Sequence, residues 1–153
     1  MMAIALLGAA TAQAQAGKLP PFRMVQANGK IFRAEDLPIG KPIVIIYFSP
    51  DCDHCDQLVK ELLKRKADFN KASIAMITYL PVDPVTKFVK AYDLNSLPNI
   101  YVGTEGSTYF LKNYYQLTSM PFMALYTKNG DLVKQYPKDE GLTDLINQLK
   151  NLQ

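Results

Sequence analysis

Residues 43–63 read IVIIYFSPDCDHCDQLVKELL, and this stretch decides the fold. The first six residues are apolar without alternation and rich in β-branched side chains, which predicts a strand buried on both faces. Residues 56–69 place apolar side chains at helical spacing. Both cysteines of the chain, Cys52 and Cys55, lie between this strand and this helix, with the only histidine, His54, between them. The sequence therefore places its reactive side chains at a strand-to-helix junction.

The Cys-x-x-Cys spacing is compatible with a metal clip, a structural disulfide or a redox-active pair. A structural zinc site uses four ligands, which one cysteine pair and one histidine do not supply. Haem attachment requires a histidine directly after the second cysteine, where this chain has Asp56. A disulfide across so short a loop removes little chain entropy. A redox-active disulfide between Cys52 and Cys55 is therefore the favoured interpretation, and we expect no metal and no added cofactor.

The predicted start of the helix gives the two cysteines different roles. Cys52 faces the unpaired N–H groups of the first helical turn, which favour thiolate over thiol. Only the thiolate attacks a disulfide. Cys55 lies one turn later and is more shielded by the helix. Cys52 is therefore the predicted attacking thiol, and Cys55 is the predicted resolving thiol.

Charged neighbours are expected to tune this pair. His54 favours the thiolate as a cation or hydrogen-bond donor, whereas Asp51 and Asp53 oppose a further negative charge nearby. Exposed charges are screened over about 10 Å at 0.1 M salt, whereas the helix terminus acts at contact distance. The sequence leaves open which influence dominates, and with it the direction of electron flow.

Length and composition favour one globular domain, expected at residues 17–153. The chain has 153 residues, of which 48% are hydrophobic and 20% are charged. These values are ordinary for globular proteins and exclude a disordered chain. The formal net charge of +3 is small and scattered along the chain, so nothing indicates a nucleic-acid partner.

Residues 1–16, MMAIALLGAATAQAQA, predict a signal peptide. They contain no charged residue, include an apolar stretch at residues 3–10 and end in Ala14-Gln15-Ala16, which fits a small-x-small cleavage site. A buried N-terminal helix is the alternative. We expect cleavage before Gly17 and a periplasmic or otherwise extracytoplasmic protein, in a compartment where disulfides persist.

The remaining pattern predicts an α/β fold. Phe22 to Gln26 and Ile31 to Arg33 flank an Asn28-Gly29 turn, which predicts a hairpin. Further strands are predicted at residues 74–80, 99–102, 122–127 and 132–136, and further helices at residues 84–92, 107–116 and 142–149. This order predicts a mixed, mostly parallel central sheet flanked by helices on both faces, with an N-terminal β-hairpin and a βα insertion.

Met120 and Pro121 directly precede the predicted strand at residues 122–127. A proline at the start of a strand is a candidate cis bond, with a trans turn proline as the alternative. The strand IVIIYF, the CDHC motif, the helix after it, this Met-Pro pair and the Asn-Gly hairpin together resemble the thioredoxin fold. Specifically, they resemble the TlpA/ResA-like extracytoplasmic thiol–disulfide oxidoreductases and related redoxins. The resemblance covers about residues 22–149.

The resemblance implies a role for each matching residue. Cys52 would form a mixed disulfide with the substrate, and Cys55 would resolve it. Pro121 would be the cis-proline opposite the dithiol, and the backbone of Met120 would pair with an extended substrate chain. The N-terminal hairpin and the region at residues 97–115 resemble extra elements of this group. We therefore expect protein thiols and disulfides as partners, a membrane-linked thiol as electron donor, and a monomer or weak dimer.

The chain also departs from this family's pattern. Many relatives carry tryptophan before the first cysteine, where this chain has Asp51, and many carry proline where this chain has His54. Thioredoxin has a buried acid six residues before the first cysteine, a position held here by Ile46. Proton transfer must then come from water, from His54 or from another acid. Glu105 in the predicted insertion is a candidate, although an exposed loop acid is the favoured interpretation.

Two other functions stay open at this point. A non-catalytic thioredoxin-fold module for binding or metal delivery would show no turnover. A peroxiredoxin-like thiol peroxidase is loosely suggested by residues 49–52, SPDC, but Ile45 stands where the peroxiredoxin motif has proline. The favoured prediction is an enzyme, a thiol–disulfide oxidoreductase that reduces, or alternatively oxidises, exported proteins.

Overall fold

The computed structural model describes residues 17–153, so the predicted signal peptide at residues 1–16 lies outside the described residues. The strands are β1 (Arg23–Gln26), β2 (Ile31–Arg33), β3 (Ile43–Tyr47), β4 (Ser73–Thr78), β5 (Ile100–Thr104), β6 (Phe122–Tyr126) and β7 (Leu132–Tyr136). The helices are α1 (Asp53–Lys64), α2 (Val82–Ala91), α3 (Phe110–Tyr114) and α4 (Leu142–Lys150). These described elements give an α/β domain in which strands and helices mostly alternate.

The seven strands form one mixed sheet in the order β2–β1–β5–β4–β3–β6–β7. The central strands β3, β4 and β5 run parallel, whereas the pairings β1–β2, β1–β5, β3–β6 and β6–β7 are antiparallel. The predicted mixed α/β sheet and the N-terminal hairpin are confirmed, but the expectation of a mostly parallel sheet is wrong, because four of the six strand pairings described are antiparallel. The parallel strands β3, β4 and β5 are joined by crossovers that contain α1 and α2, whereas short turns join the antiparallel hairpins β1–β2 and β6–β7 at the two edges.

Helices cover both faces of this sheet. The α1 face is packed by α1, α2 and α4, and the α3 face is packed by α3 and the loops around the N-terminal hairpin. Along the fully buried strand β3, Ile46 points to the α1 face and Tyr47 to the α3 face. Two-sided burial of this kind explains the unbroken apolar run, because each large apolar side chain buried stabilises the fold by about 1.5–3 kcal/mol.

Helix α1 begins at Asp53, three residues before the start predicted from apolar spacing. The polar residues of the first turn follow no apolar periodicity, so the pattern alone misses them. Their charges suit the helix terminus, since Asp53 and Asp56 lie in the first turn and Lys64 lies in the last. The helix ends at Lys64, and a separate 3-10 turn spans Lys66–Phe69.

The insertion differs more from its prediction. Strand β5 is confirmed, but the predicted helix at residues 107–116 is reduced to the five residues of α3. Tyr109 and Gln116 both have positive φ angles, 49° and 54°, which an α-helix cannot accommodate. The helix is therefore interrupted at both ends by left-handed residues that have no glycine or proline signature.

The carboxyl ends of β3, β4 and β5 meet the amino end of β6 at one edge of the sheet. This edge is where ligand and catalytic sites of open α/β sheets are generally found. The loop with Cys52, the residue Glu105 and the Met120–Pro121 pair all lie there. None of the helices in residues 17–153 is both long enough and apolar enough to cross a lipid bilayer.

Candidate dithiol site

Cys52 lies immediately before α1, where it forms the N-terminal cap of the helix. Its backbone is extended, with φ of −106° and ψ of 120°, and its sulfur accepts the N–H of Cys55 at 3.3 Å. The Cys52 side chain is half-buried. The strand-to-helix turn therefore aims the Cys52 sulfur at the helix terminus while leaving part of it accessible.

Cys55 lies one turn further along α1 and is completely buried, with 0% of its surface exposed. The Ser49 N–H donates to its sulfur at 3.5 Å. Burial raises the pKa of the Cys55 thiol well above its ordinary value, and hydrogen bonding with Cys52 raises it further. The Ser49 N–H opposes this rise, whereas the negative charge of Asp51 adds to it. Both cysteines are free thiols in the structure, and one of them is accessible while the other is not.

Met120 and Pro121 are brought to the dithiol from a distant part of the chain. The peptide bond between them is cis, and Pro121 is buried at the start of β6. The Cys52 thiol faces the Met120 carbonyl, with 3.8 Å between sulfur and oxygen. The structure therefore places the accessible sulfur beside the backbone that leads into β6.

Three polar residues of the motif lie next to the dithiol in the chain and face solvent. Asp51, Asp53 and His54 are all exposed. The Ser49 hydroxyl donates to the Asp51 carboxylate, which holds that carboxylate in the loop before Cys52. The influence of these three residues on the dithiol stays a prediction.

Ser49 is a residue whose part in the site the sequence analysis missed. It is 2% exposed and contacts both the buried Cys55 sulfur, through its N–H, and the exposed Asp51 carboxylate, through its hydroxyl. The available signal was a polar residue directly after a fully buried strand. Such a residue must find hydrogen-bond partners, because an unpaired buried polar group is costly.

Glu105 corrects one expectation. It is buried, with 8% exposure, and is not the exposed loop acid that the sequence favoured. The Tyr47 hydroxyl donates to one carboxylate oxygen at 2.7 Å, and the Leu111 N–H donates to the other at 2.8 Å. Both partners belong to the α3 face, opposite to Cys55. Glu105 therefore ties the insertion to strand β3, and its carboxylate lies on the other side of the sheet from the resolving thiol.

The Tyr47 hydroxyl is the donor in the hydrogen bond to the Glu105 carboxylate. Burial raises the pKa of Tyr47, and the hydrogen bond to Glu105 raises it further, because both oppose loss of the hydroxyl proton. Tyr47 therefore remains a neutral donor to Glu105. The pair links strand β3 to the loop after β5 without contributing a reactive group to the dithiol.

A groove with a volume of about 460 Å³ lies beside the loop that leads to Cys52. Its walls come from this loop, from the segment after β4 and from α2. The groove is mostly apolar and is lined by Pro50, Asp51, Leu80, Pro84, Lys87, Phe88, Ala91 and Tyr92. The surface beside the loop before Cys52 can therefore receive an apolar side chain.

The described residues offer little to a metal ion. Within residues 17–153, no group of three or more histidine, cysteine, aspartate or glutamate side chains is arranged to hold one.

Comparison with known proteins assigns the domain. Residues 37–150 match the family model described as a thioredoxin-like domain. No curated protein matches the chain in sequence.

Several solved structures share the fold. A putative electron transfer protein from Aquifex aeolicus is 17% identical, with a TM-score of 0.72 over 90% of this chain and 97% of that chain. A secreted disulfide oxidoreductase from Mycobacterium tuberculosis, homologous to DsbE of E. coli, is 18% identical, with a TM-score of 0.67 over 91% and 99%. The peroxidoxin BcpB from M. tuberculosis is 12% identical, with a TM-score of 0.74 over 90% and 97%. At these identities, the similarity establishes the fold.

Proposed function

The chain belongs to the thioredoxin-like domain family, and we propose that it is a thiol–disulfide oxidoreductase that uses Cys52 and Cys55 to reduce disulfides of exported proteins. The observation that supports this most directly is the asymmetry of the two sulfurs. Cys52 is half-buried at the start of α1, and Cys55 is fully buried one turn behind it. The Cys52 sulfur is accessible to a substrate disulfide. The Cys55 sulfur lies one helical turn away, where it can attack the mixed disulfide at Cys52.

The reaction balances with these two thiols and one substrate disulfide. The Cys52 thiolate attacks one substrate sulfur, the substrate S–S bond breaks, and the departing sulfur takes up a proton. Cys55 then loses its proton and attacks the Cys52 sulfur of the mixed disulfide. The bond between Cys52 and the substrate breaks, and the second substrate sulfur leaves. Two electrons have then moved to the substrate, and an external thiol must reduce the new Cys52–Cys55 disulfide.

The backbone at Met120 supports binding of an extended substrate. The Met120 carbonyl lies 3.8 Å from the Cys52 sulfur, next to buried Pro121. A polypeptide that adds to this edge by backbone hydrogen bonds would bring its own cysteine to Cys52. The adjoining groove would hold a side chain near that cysteine. Binding through backbone would let the enzyme accept many sequences, with the groove adding selectivity.

The compartment and the partners follow from the same proposal. We propose that the chain is TlpA/ResA-like, and the β1–β2 hairpin and the β5–α3 insertion that accompany the dithiol support this proposal. Residues 1–16 would direct export, and the substrates would be protein disulfides outside the cytoplasm. A membrane-linked thiol would return electrons to a monomer or weak dimer that needs no added cofactor.

The proposal is tested by trapping the mixed disulfide with a peptide disulfide. Cys55→Ser should accumulate an adduct at Cys52, because the resolving thiol is missing. Cys52→Ser should form no adduct, since Cys55 is buried. The two variants are matched controls for each other, since each removes one thiol from the same helix turn. Equal adduct formation by the two variants, read by mass spectrometry, would contradict the proposal.

A thiol peroxidase is the second candidate, favoured by the position of Ser49 three residues before Cys52. The Ser49 hydroxyl, however, is directed to the Asp51 carboxylate. Rapid oxidation of Cys52 by hydrogen peroxide, with slow reaction towards disulfides, would select the peroxidase. The oxidoreductase proposal expects the opposite ranking of the two rates.

A further inference from the structure

Resolution of the mixed disulfide requires the buried Cys55 thiol to lose a proton. This thiol is 0% exposed, and burial raises its pKa above that of an ordinary cysteine. Only a thiolate attacks a disulfide efficiently. A base near Cys55 would therefore speed the second half of the reaction, and Ile46, which lies on the α1 face of the neighbouring strand, is not one.

Ser49 connects the buried sulfur to an exposed carboxylate. Its N–H donates to the Cys55 sulfur at 3.5 Å, and its hydroxyl donates to the Asp51 carboxylate. Ser49 is 2% exposed, whereas Asp51 is exposed to solvent. The Asp51 carboxylate lies close enough for its negative charge to act on the Cys55 thiol, and its exposure lets it exchange protons with water.

Two other carboxylates near this edge, those of Asp56 and Glu105, are directed elsewhere. Asp56 pairs with Lys60 on the outer surface of α1, at 2.6 Å. Glu105 lies on the opposite face of the sheet, bonded to Tyr47 and Leu111. Among the acids of the described loop and helix, Asp51 is the one fixed by a residue that also contacts Cys55.

We propose that Asp51, positioned by the Ser49 hydroxyl, is the base that receives the proton of Cys55 during resolution. The S–H bond of Cys55 breaks, and its proton passes to the Asp51 carboxylate. The Cys55 sulfur bonds to the Cys52 sulfur, and the bond from Cys52 to the substrate breaks. The substrate sulfur leaves with the electron pair, and Asp51 returns the proton to solvent. This inference rests on the proposed oxidoreductase function.

The direction in which Asp51→Asn changes the rate of resolution distinguishes a base from a group that acts only through its negative charge. If Asp51 is the base, Asp51→Asn should slow resolution, by about a hundredfold at the lower end for general-base catalysis. If Asp51 acts only by its charge, removing it should ease ionisation of Cys55 and speed resolution. The two accounts therefore predict changes in opposite directions.

The experiment follows the mixed disulfide with a labelled peptide disulfide by rapid mixing and acid quench. Formation of the adduct reports attack by Cys52, and its decay reports resolution by Cys55. We expect Asp51→Asn to slow decay strongly and formation little, Ser49→Ala to slow decay less, and Asp51→Glu to restore part of the rate. Asp56→Asn removes another negative charge next to Cys55, one that is paired with Lys60, and should not slow the decay.

The outcomes distinguish failure of the proposed oxidoreductase function from failure of the assignment of Asp51 as the base. If the wild-type protein forms no adduct at all, the proposed function fails, and this inference fails with it. If the wild type forms and resolves the adduct while Asp51→Asn resolves it as fast or faster, the function stands and the assignment of Asp51 as the base is overturned. Slowing by Asp56→Asn to the same extent as Asp51→Asn would also overturn it.

Discussion

The dithiol loop, residues 49–56, and the insertion, residues 105–117, lie at the same edge of the sheet and bury polar groups in opposite ways. In the insertion, Glu105 accepts short hydrogen bonds of 2.7 and 2.8 Å from two donors. In the dithiol loop, the Cys55 sulfur accepts an N–H at 3.5 Å. A buried carboxylate with two strong donors stabilises the fold, whereas a buried thiol with one weak donor can still give up that contact to form a disulfide bond. Burial alone therefore does not mark a functional residue.

The largest expected effect is on chemistry at the dithiol loop. Cys52→Ser should lower turnover of a model disulfide by at least about a thousandfold, because the attacking sulfur is removed. The free energy of unfolding should change by less than about 1 kcal/mol, since the side chain is half-buried and the serine hydroxyl can also cap α1. Steady-state kinetics and urea denaturation check the two halves. Substantial residual turnover would mean that the proposed attacking residue is wrong.

The next effect is on stability in the insertion. Glu105→Ala should lower the free energy of unfolding by about 3 kcal/mol, because it leaves the Tyr47 hydroxyl and the Leu111 N–H without their acceptor. Urea denaturation measures it. The exposed Glu35→Ala is the matched control, expected within about 0.5 kcal/mol of the wild type.

Glu105→Ala also tests whether the insertion takes part in the chemistry of the dithiol loop. At a temperature where Glu105→Ala is fully folded, disulfide turnover should stay close to that of the wild type. Loss of turnover without loss of stability would show that the insertion takes part in the chemistry, and the contrast would then be wrong.

A smaller effect distinguishes the two thiols. In the reduced, folded protein, iodoacetamide should modify Cys52 at least about tenfold faster than Cys55, because Cys55 is fully buried and its pKa is raised. Peptide mapping by mass spectrometry gives both rates. In urea the difference should vanish. Equal rates in the folded protein would remove the asymmetry on which the proposed mechanism depends.

The smallest expected effect is on stability at Asp68, which lies outside both regions. Hydrogen bonds from Lys150 and then Arg65 hold the pKa of Asp68 below its ordinary value. The ion pair therefore adds stability above the unfolded pKa, and this contribution is lost as the pH falls through the lower folded pKa. Asp68→Asn should lower the urea midpoint slightly at about pH 7 and less at about pH 3. An unchanged difference at the two pH values would contradict this assignment.

The same contrast explains what the sequence could predict. Strand β3 and the position of Cys52 at the start of α1 follow from local patterns: an apolar run, a polar junction and a helical stripe. The hairpin β1–β2 follows from its Asn-Gly turn. These elements were predicted correctly because neighbouring residues determine them.

The remaining features depend on residues far apart in the chain. Glu105 is buried because Tyr47, 58 residues earlier, reaches it across the sheet. Helix α3 is short because Tyr109 and Gln116 adopt left-handed backbone angles. The local sequence does not predict these angles, since neither residue is a glycine. The bridging contacts of Ser49 likewise need the fold of the loop around Cys55. Tertiary contacts therefore decided what local patterns could not.

The most direct test of the central claim is the reduction potential of the Cys52–Cys55 pair. The protein, which has no tryptophan, would be equilibrated with dithiothreitol or glutathione and its thiols counted by alkylation. The account predicts one reversible two-electron transition near the value of thioredoxin, about −270 mV. A potential near −120 mV would contradict the reductive direction, because the pair would then oxidise secreted thiols. A pair that never equilibrates would contradict the enzyme itself.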